Sequence, residues 1–314
     1  MKSNEHKPIL LNEVIEGLDI KSDGVYLDLT LGRAGHSKEI LKRLSLNGLL
    51  IGIDQDEEAI SYSRVELSKI SNRYKIVKSN FSNIKNILSD LNISTLDGAL
   101  FDLGVSSPQF DEDYRGFSYR FNNKLDMRMD LSSSLTAYDV VNTYSFKELL
   151  KVFKEYGEDK YSYNIAKNIV KERDIKPIVT TFDLVDIIKR SKPLKELNKV
   201  GHPAKQIFQA IRIEVNNELN VLKKALEDVI NSLNINGRVC VITFHSLEDR
   251  IVKNLFKKYS VVEGNRINDF RKAKDIEEAN FIEVNKKVIV PSEEEIINNP
   301  RSKSAKLRIL KRVR

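Results

Sequence analysis

The first apolar run of the chain is followed by a glycine turn with the residue types of a ligand-binding loop. The run covers residues 25–29 and contains Asp28, and Gly32 and Gly35 follow it before a predicted helix. Glycine permits a ligand to approach the backbone closely, and the amide groups at a helix N-terminus attract polar or anionic ligands. The segment from Asp28 to His36 is therefore the first candidate binding loop, in which Asp28 suits a role in holding the turn.

A second apolar run, residues 49–53, ends at Asp54, whose carboxylate would accept hydrogen bonds from both hydroxyls of a ribose. Together with the glycine turn, it predicts a ligand that contains a nucleoside. Dinucleotide cofactors use the same layout, but their fingerprint G-x-G-x-x-G requires glycine where this chain has Thr30. The shortened pattern Gly32-x-x-Gly35 suits a ligand without a pyrophosphate and favours S-adenosylmethionine over NAD(P).

The fourth strand pattern, residues 98–103, leads into the tetrapeptide Ser-Pro-Gln-Phe at residues 107–110. It resembles the motif [DNS]-P-P-[YFW] of methyltransferases that act on exocyclic amino groups of bases, with Gln109 in place of the second proline. Such an amine is a weak nucleophile because its lone pair is delocalised into the ring. A polar side chain and an adjacent carbonyl that accept its hydrogens would free the lone pair for in-line attack. Ser107 and Pro108 are the candidate catalytic residues, and the alternative is a simple Ser-Pro turn.

Other reactive residue types give less support for a site. His245 and Ser246 follow a strand pattern and would face the same cleft, but a serine hydrolase is disfavoured because Gly-x-Ser-x-Gly is absent. The four histidines have no metal-ligand spacing, so no metal site is predicted. Cys240, the only cysteine, lies inside an apolar strand pattern and is predicted to be a core residue. Intrachain disulfides and a cysteine-based zinc site are thereby excluded.

Strand and helix patterns alternate in the first third of the chain and return near its C-terminus. Continuous apolar strands that alternate with helices predict an α/β fold with a parallel sheet covered on both faces. The returning part begins with one long helix predicted over residues 204–233. Residues 260–300 are polar and charge-mixed, and they are predicted to be irregular before a final strand.

Residues from about 113 to about 208 show helical spacing and no strand pattern, which predicts a helical domain inserted into the α/β pattern. Ser145 and Glu148 fit a capping box, and Thr181 is predicted to cap the helix that follows it. We therefore expect one domain formed by residues 1–112 and 209–314. Residues 113–208 would form a helical domain that recognises the substrate.

The formal net charge of +7 indicates a polyanionic partner. Seven Lys or Arg residues and no acidic residue lie between Arg301 and Arg314, a pattern typical either of a solvated tail or of a basic surface. Lys306 and Arg308 alternate with apolar residues, which predicts a strand with one basic face. The N-terminus lacks the apolar core of a signal peptide and no apolar run reaches the length of a membrane span. We therefore expect a cytoplasmic protein without a membrane partner.

Distinctive segments run almost from end to end of the chain. They are residues 6–11 (HKPILL), 32–37 (GRAGHS), 102–109 (DLGVSSPQ), 115–118 (RGFS), 125–130 (LDMRMD), 202–204 (HPA), 208–216 (FQAIRIEVN), 244–250 (FHSLEDR) and 299–308 (NPRSKSAKLR). In this order they resemble the segments of the bacterial 16S rRNA cytosine-N4 methyltransferase family (RsmH, formerly MraW). So many long matches in one order are highly specific.

This resemblance implies a Rossmann-like S-adenosylmethionine-dependent methyltransferase sheet with an inserted all-helical domain. It implies methyl transfer from S-adenosylmethionine to N4 of a cytidine in the decoding region of 16S rRNA, within the small ribosomal subunit. With the glycine turn, it gives the donor-binding residues as Gly32, Ala34, Gly35, His36, Asp54, Phe81, Asp102 and Gln109. Phe81 suits this role as an apolar surface for the adenine ring.

Contacts with RNA are predicted from charge and position. The target base would be turned out of its structured RNA into the cleft. The residues predicted to bind the RNA are Arg115, Arg128, His245, Arg301 and Lys303. Two other classes stay open: a NAD(P)-dependent oxidoreductase, and a non-catalytic RNA-binding assembly protein on a methyltransferase fold. The sequence is also compatible with a homodimer.

Overall fold

The computed structural model describes residues 8–104, 115–261 and 278–314. The chain divides into two compact units, one formed by residues 1–104 and 219–314 and the other by residues 105–218. We call them the sheet unit and the helical unit.

The sheet unit is built on a seven-stranded sheet with the order β3-β2-β1-β4-β5-β7-β6. Its strands are β1 (Val25–Asp28), β2 (Leu49–Asp54), β3 (Tyr74–Lys78), β4 (Leu96–Asp102), β5 (Leu233–Thr243), β6 (Phe281–Glu283) and β7 (Lys306–Arg312). Strands β1 to β5 run parallel, as predicted. The two C-terminal strands extend the sheet antiparallel, with β7 beside β5 and β6 at the edge.

Seven helices accompany this sheet, within the described residues. They are α1 (Leu11–Leu18), α2 (Gly35–Leu41), α3 (Glu57–Ser68), α4 (Ile84–Asp90), α11 (Glu218–Ser232), α12 (Ser246–Ser260) and α13 (Glu293–Asn298). Side chains of α4, α11 and α12 form one core with residues such as Leu27 and Phe101. Side chains of α1, α2 and α3 form the core on the opposite face, with Tyr26, Leu100 and the buried Cys240. Because alternate strand residues point to opposite apolar faces, the central strands read as continuous apolar runs.

The helical unit contains six helices in its described part. They are α5 (Ala137–Thr143), α6 (Phe146–Glu155), α7 (Ser162–Arg173), α8 (Thr181–Arg190), α9 (Leu194–Leu197) and α10 (Lys205–Asn216). Their apolar faces enclose a core of their own around Phe153. The predicted capping box of α6 is confirmed, with Ser145 and Glu148 bonded reciprocally. Across the described ranges of the chain, no helix is long and apolar enough to cross a membrane.

Three details differ from the sequence predictions. Residues 204–233 form two helices rather than one, because Asn217 adopts left-handed backbone (φ 50°) and ends α10. The cap of α8 is Thr180, whose side chain accepts from the Asp183 amide, while Thr181 is the first helical residue. Residues 278–300 contain β6 and α13 instead of being irregular.

The division between the two units follows from the break at Asn217. Helix α10 packs in the core of the helical unit, so residues 209–218 belong to that unit and not to the domain expected over 209–314.

Candidate functional site

Three acidic residues end three adjacent parallel strands of the sheet unit. Asp28 ends β1, Asp54 ends β2 and Asp102 ends β4. Strand β1 lies between β2 and β4, so the strand order reverses at this point. In open parallel sheets, the crevice outside the carboxyl ends of the strands at such a reversal is where ligands bind. The three carboxylates therefore mark the candidate site.

Asp28 is buried, and its oxygens are occupied by the turn that follows it. Its Oδ2 accepts from the Ser37 hydroxyl at 2.7 Å and its Oδ1 accepts from the Thr30 amide at 3.1 Å. Burial raises the pKa of Asp28, and these hydrogen bonds oppose that shift. Asp28 thus holds the turn against the start of α2, the role suggested for it by the sequence.

Thr30 connects the turn after β1 to the end of β4. Its hydroxyl lies 3.4 Å from Asp28 Oδ1, to which it donates, and it accepts from the Asp102 amide at 2.7 Å. Glycine has no side chain and would make neither contact. The departure from the dinucleotide fingerprint at this position therefore has a structural reason.

His36 and Asp102 face each other at the centre of the site. His36 is buried, and because its Nε2 lies 2.9 Å from the Ile9 carbonyl oxygen, this nitrogen carries the proton. Its Nδ1 lies 3.6 Å from Asp102 Oδ2. Burial raises the pKa of Asp102 to about 6, an effect increased by Asp28 and Glu248 and opposed by His36.

The second oxygen of Asp102 is an unused acceptor. Oδ1 is buried and has no hydrogen-bond partner within the described residues, although the whole side chain is 24% exposed. A buried carboxylate oxygen without a partner is unfavourable unless a donor reaches it. Asp102 can therefore receive a hydrogen bond from a hydroxyl or amino group of a ligand, and it fits a polar ligand at the end of β4.

Asp54 holds the glycine turn from the neighbouring strand. Its Oδ2 accepts from the Gly32 amide at 2.8 Å, and its Oδ1 accepts from the Asp56 amide at 2.9 Å. Gly32 has a φ of +48°, which favours glycine, and its carbonyl accepts from the Ser63 hydroxyl at 2.6 Å. Burial raises the pKa of Asp54. Since a carboxylate offers about four lone-pair positions, Asp54 can hold the turn and still accept from ribose hydroxyls.

The second glycine of the motif is in close contact with the N-terminal segment. A Cβ on Gly35 would lie 2.5 Å from Pro8 Cγ, so glycine is needed here for packing, and the contact of its backbone with the donor stays a prediction. Ala34 is buried with left-handed backbone (φ 56°) and directly precedes α2. Together these two residues fix how the chain enters α2.

Phe81 lies beside the segment that follows β2. Its half-buried ring packs edge-on against Phe101, with the ring centres 5.9 Å apart. The preceding residue, Asn80, donates to the Gln55 side chain at 3.0 Å, and Gln55 directly follows Asp54. An apolar ring is thus fixed near the predicted ribose acceptor, as an adenosine ligand would require.

His245 precedes α12 at the end of β5. Its Nδ1 accepts from the Glu248 amide at 3.4 Å, and its Nε2 lies 3.1 Å from Glu248 Oε1. Glu248 Oε2 also accepts from the Phe244 amide at 2.8 Å. The His245 side chain is only 10% exposed. Its contact with RNA stays a prediction.

Arg115 and Arg128 hold a loop of the helical unit. Arg115 is buried, and its Nη2 donates to the carbonyl oxygens of Arg128 and Met129, both at 2.9 Å. Arg128 makes a two-pronged ion pair with Asp126, both contacts at 2.8 Å. These internal contacts explain the two arginines without RNA, and phosphate binding by them stays a prediction.

The basic C-terminal segment divides into a paired and an exposed part. Lys306 and Arg308 on β7 contact Asp249 of α12 at 3.4 and 2.8 Å, so the predicted basic face is partly neutralised. Arg301 and Lys303 lie exposed in the 3-10 turn that precedes β7. This turn is the part of the segment that an anionic partner can reach.

Three predicted site residues lie outside the described residues, and the structure shows three hydroxyl side chains in the site that the sequence did not predict. Ser107, Pro108 and Gln109 lie outside the described residues. The glycines and acids of the site were predicted, whereas the hydroxyls that join them were not. Thr30 and Ser37 follow Asp28 closely, so a hydrogen-bonded turn could have been inferred from them. Ser63 is 31 residues from Gly32, and no local sequence pattern predicts the contact between them.

Comparison with known proteins gives matches over the whole chain. The model of the MraW methylase family matches residues 3–313. Ribosomal RNA small subunit methyltransferase H of Clostridioides difficile (strain 630) is 53% identical over 312 residues, which are 98% of this chain and 99% of that protein. The protein of the same name from Streptococcus dysgalactiae subsp. equisimilis is 49% identical over 315 residues, covering 100% and 99%. A crystal structure of a rRNA methylase from Streptococcus thermophilus aligns at 10% identity with a TM-score of 0.44, covering 99% of this chain and 100% of that one.

Proposed function

Because the chain belongs to the MraW methylase family, we propose that it transfers a methyl group from S-adenosylmethionine to the exocyclic N4 amine of a cytidine in the decoding region of 16S rRNA. The observation that carries this proposal is the set of acidic strand ends around a glycine turn, at the reversal point of the sheet. Two relatives named as small-subunit ribosomal RNA methyltransferases support the choice of substrate.

The geometry supports a specific placement of the donor. Asp54 would accept from the ribose hydroxyls, and the Phe81 ring would lie against the adenine. The free oxygen of Asp102 would accept a hydrogen bond from the polar end of the molecule. The bound donor supplies an electrophilic methyl group on a positively charged sulfur, and the carboxylates of Asp28 and Asp102 make the surrounding potential favourable for that charge.

The acceptor side of the reaction is assigned to the segment after β4. In the proposal, the Ser107 hydroxyl and the backbone carbonyl beside Pro108 accept the amine hydrogens and direct the lone pair toward the methyl group. Gln109 lies next to them and would contact the donor. Nitrogen gains the carbon–nitrogen bond as the sulfur–carbon bond breaks, and the amine then loses one proton.

The test is methyl transfer to purified small ribosomal subunits from a strain that lacks this enzyme. We expect N4-methylcytidine among the nucleosides of the digested rRNA, identified by mass analysis. Its absence would contradict the proposal, and methyl on another nucleoside would overturn the choice of base alone. Free 16S rRNA, assayed in parallel, distinguishes the particle from the naked RNA as substrate.

The alternative classes are separated by ligand binding. A ligand that binds only the folded protein raises its melting temperature. We expect a rise with S-adenosylhomocysteine and none with NADH, and the reverse result would favour an oxidoreductase. RNA binding without any methyl transfer would favour the non-catalytic assembly protein. We also propose a cytoplasmic location, and the homodimer stays a prediction that sedimentation would check.

A further inference from the structure

The helical unit exposes two large aromatic rings on neighbouring backbone segments. Phe121 and Phe182 are each 42% exposed, an unusual state for phenylalanine. Thr181 joins their backbones: its hydroxyl donates to the Phe121 carbonyl at 2.6 Å, and its amide donates to the Asn123 carbonyl at 2.8 Å. The backbone segments that carry the two rings are therefore hydrogen-bonded to each other.

A second aromatic pair lies next to this position in the chain. Tyr119 stacks on His202, with the ring centres 4.2 Å apart and the planes 11° from parallel. Tyr119 also packs edge-on against Phe208, which is buried in the core of the unit. The stacked pair of Tyr119 and His202 is thus packed against the core of the helical unit.

A buried ion pair fixes the segment that carries His202. The Lys192 ammonium lies 2.5 Å from Asp159 Oδ2 and donates to the Pro203 carbonyl at 2.7 Å. Both side chains of the pair are almost fully buried. Lys192 is therefore committed to the fold and is not available to a partner.

Exposed cations lie on the same two segments as these rings. Arg120, Lys124 and Lys189 are exposed, and within the described ranges none of them forms an ion pair. Burial lowers the pKa of His202, and the charges of Lys189 and Arg120 lower it further, which places both cations near that ring.

The positions along α8 bring the rings and the charges onto one face. Lys189 is seven residues after Phe182, which is about two helical turns and hence the same side of the helix. Lys124 forms an isolated β-bridge with Thr180, immediately before the start of α8. Asp183 and Asp186 are the two acidic residues between Phe182 and Lys189 on this helix. The three cations Arg120, Lys124 and Lys189 outnumber them.

We propose that this aromatic-basic face, formed by Arg120, Phe121, Lys124, Phe182, Lys189 and His202, binds a single-stranded segment of the substrate RNA. Phosphates would contact the cations, and bases would stack on the exposed phenylalanines. Proteins that hold unpaired RNA combine these two residue types, because every base offers a π-face and every linkage a negative charge. The proposal rests on the proposed function, since it takes RNA as the substrate.

The test compares two sets of variants in RNA binding. The probe is a fluorescent single-stranded RNA of about 20 nucleotides, and anisotropy is measured from about 50 to about 200 mM KCl. Phe121→Ala with Phe182→Ala should lower affinity at least about tenfold and leave the salt dependence unchanged. Arg120→Gln with Lys189→Gln should lower affinity and reduce the slope of log K against log salt by about 1.4.

A matched control lies elsewhere on the same unit. Tyr163 and Lys167 are exposed one turn apart on α7. Tyr163→Ala with Lys167→Gln should leave RNA affinity unchanged. All variants should keep the wild-type melting temperature and the wild-type affinity for S-adenosylhomocysteine, since the altered side chains are on the surface of the helical unit.

The possible outcomes separate this inference from the proposed function. Equal affinity of wild type, face variants and control would overturn the inference, while methylation of small subunits by the same preparations would leave the function intact. Loss of methylation of intact subunits without loss of RNA affinity would assign the face to a protein of the particle and also overturn the inference. Wild-type protein that neither binds RNA nor forms N4-methylcytidine would refute the proposed function itself.

Discussion

The three aspartates that end neighbouring strands differ in what their oxygens contact. Asp28 is fully engaged with Ser37 and Thr30. Asp54 accepts a hydrogen bond from the Gly32 amide and can accept others. Asp102 keeps one buried oxygen without a partner in the described residues. At the residue scale, Asp28 therefore has a structural role, whereas Asp102 retains an oxygen that can accept a hydrogen bond from a ligand.

Asp54→Ala tests the ribose acceptor. We expect the affinity for S-adenosylhomocysteine to fall at least about tenfold, because each hydrogen bond to a charged group contributes about 1.5–3 kcal/mol. Isothermal calorimetry measures this directly. Glu57→Ala, which removes an exposed carboxylate three residues further on, is the control and should bind normally. Unchanged affinity in Asp54→Ala would remove Asp54 from the donor site.

Asp102→Asn tests how much the buried carboxylate of Asp102 lowers the free energy of unfolding. The folded pKa of Asp102 is raised from 3.8 to about 6, so the folded protein loses stability as pH rises through this range. The neutral asparagine avoids this loss. Because one pKa unit corresponds to about 1.4 kcal/mol, we expect Asp102→Asn to increase the free energy of unfolding by about 3 kcal/mol at pH values well above about 6.

The gain should disappear below about pH 3, where Asp102 is protonated in both states. Urea unfolding of the ligand-free proteins at about pH 8 and about pH 3 checks both ends of this range. An equal gain at both pH values would show that ionisation is not the cause. Weaker binding of S-adenosylhomocysteine by the stabilised variant would show that the carboxylate lowers stability but is needed for ligand binding.

At the scale of elements, a single residue decides where one unit ends and the other begins. Asn217 separates α10 from α11, although the apolar spacing continues through both helices. Spacing reports which side of a helix is buried, but it is insensitive to one residue of left-handed backbone. Asparagine tolerates that conformation better than most residues, which is why the break carries no stronger signal.

Replacement of Asn217 tests this break. Asn217→Ala should destabilise the protein by about 1 kcal/mol more than Asn217→Gly, because alanine is strained at positive φ and glycine is not. Both changes remove the same side chain, so their difference isolates the backbone term. Chemical unfolding measures it, and a more stable alanine variant would contradict the left-handed conformation.

At the scale of the whole molecule, the net charge of +7 is less informative than its distribution. Two of the predicted RNA-binding cations, Arg115 and Arg128, make internal contacts, and so does Arg308 on β7. Among the exposed cations are those of the 3-10 turn before β7 and those of the aromatic-basic face. Long-range attraction of RNA depends on this exposed subset.

The exposed turn before β7 gives a prediction on salt dependence. Arg301→Ala with Lys303→Ala should weaken RNA binding and reduce the salt slope by about 1.4, since each cation that neutralises a phosphate contributes about 0.7. Lys306→Ala removes a cation that already contacts Asp249 and should change the slope less. If the double variant keeps both affinity and slope, the turn does not contact RNA.

The sequence by itself determined the parts of this protein that depend on local pattern. Apolar runs ending in Asp28, Asp54 and Asp102 gave the parallel strands and the positions of their acidic ends. The glycine turn gave the ligand class, because strand period, turn chemistry and capping act over a few residues. These features predicted the sheet, the site and the helical block.

Only the tertiary structure decided the contacts between residues far apart in the chain. It brought Pro8 against Gly35 and turned Arg115 inward, so that two residues predicted to contact ligands also have contacts within the fold. It also gathered Phe121, Phe182 and His202 into one unit. Spacing carries no information on such approaches, because they depend on how whole elements pack and not on the period of any one of them.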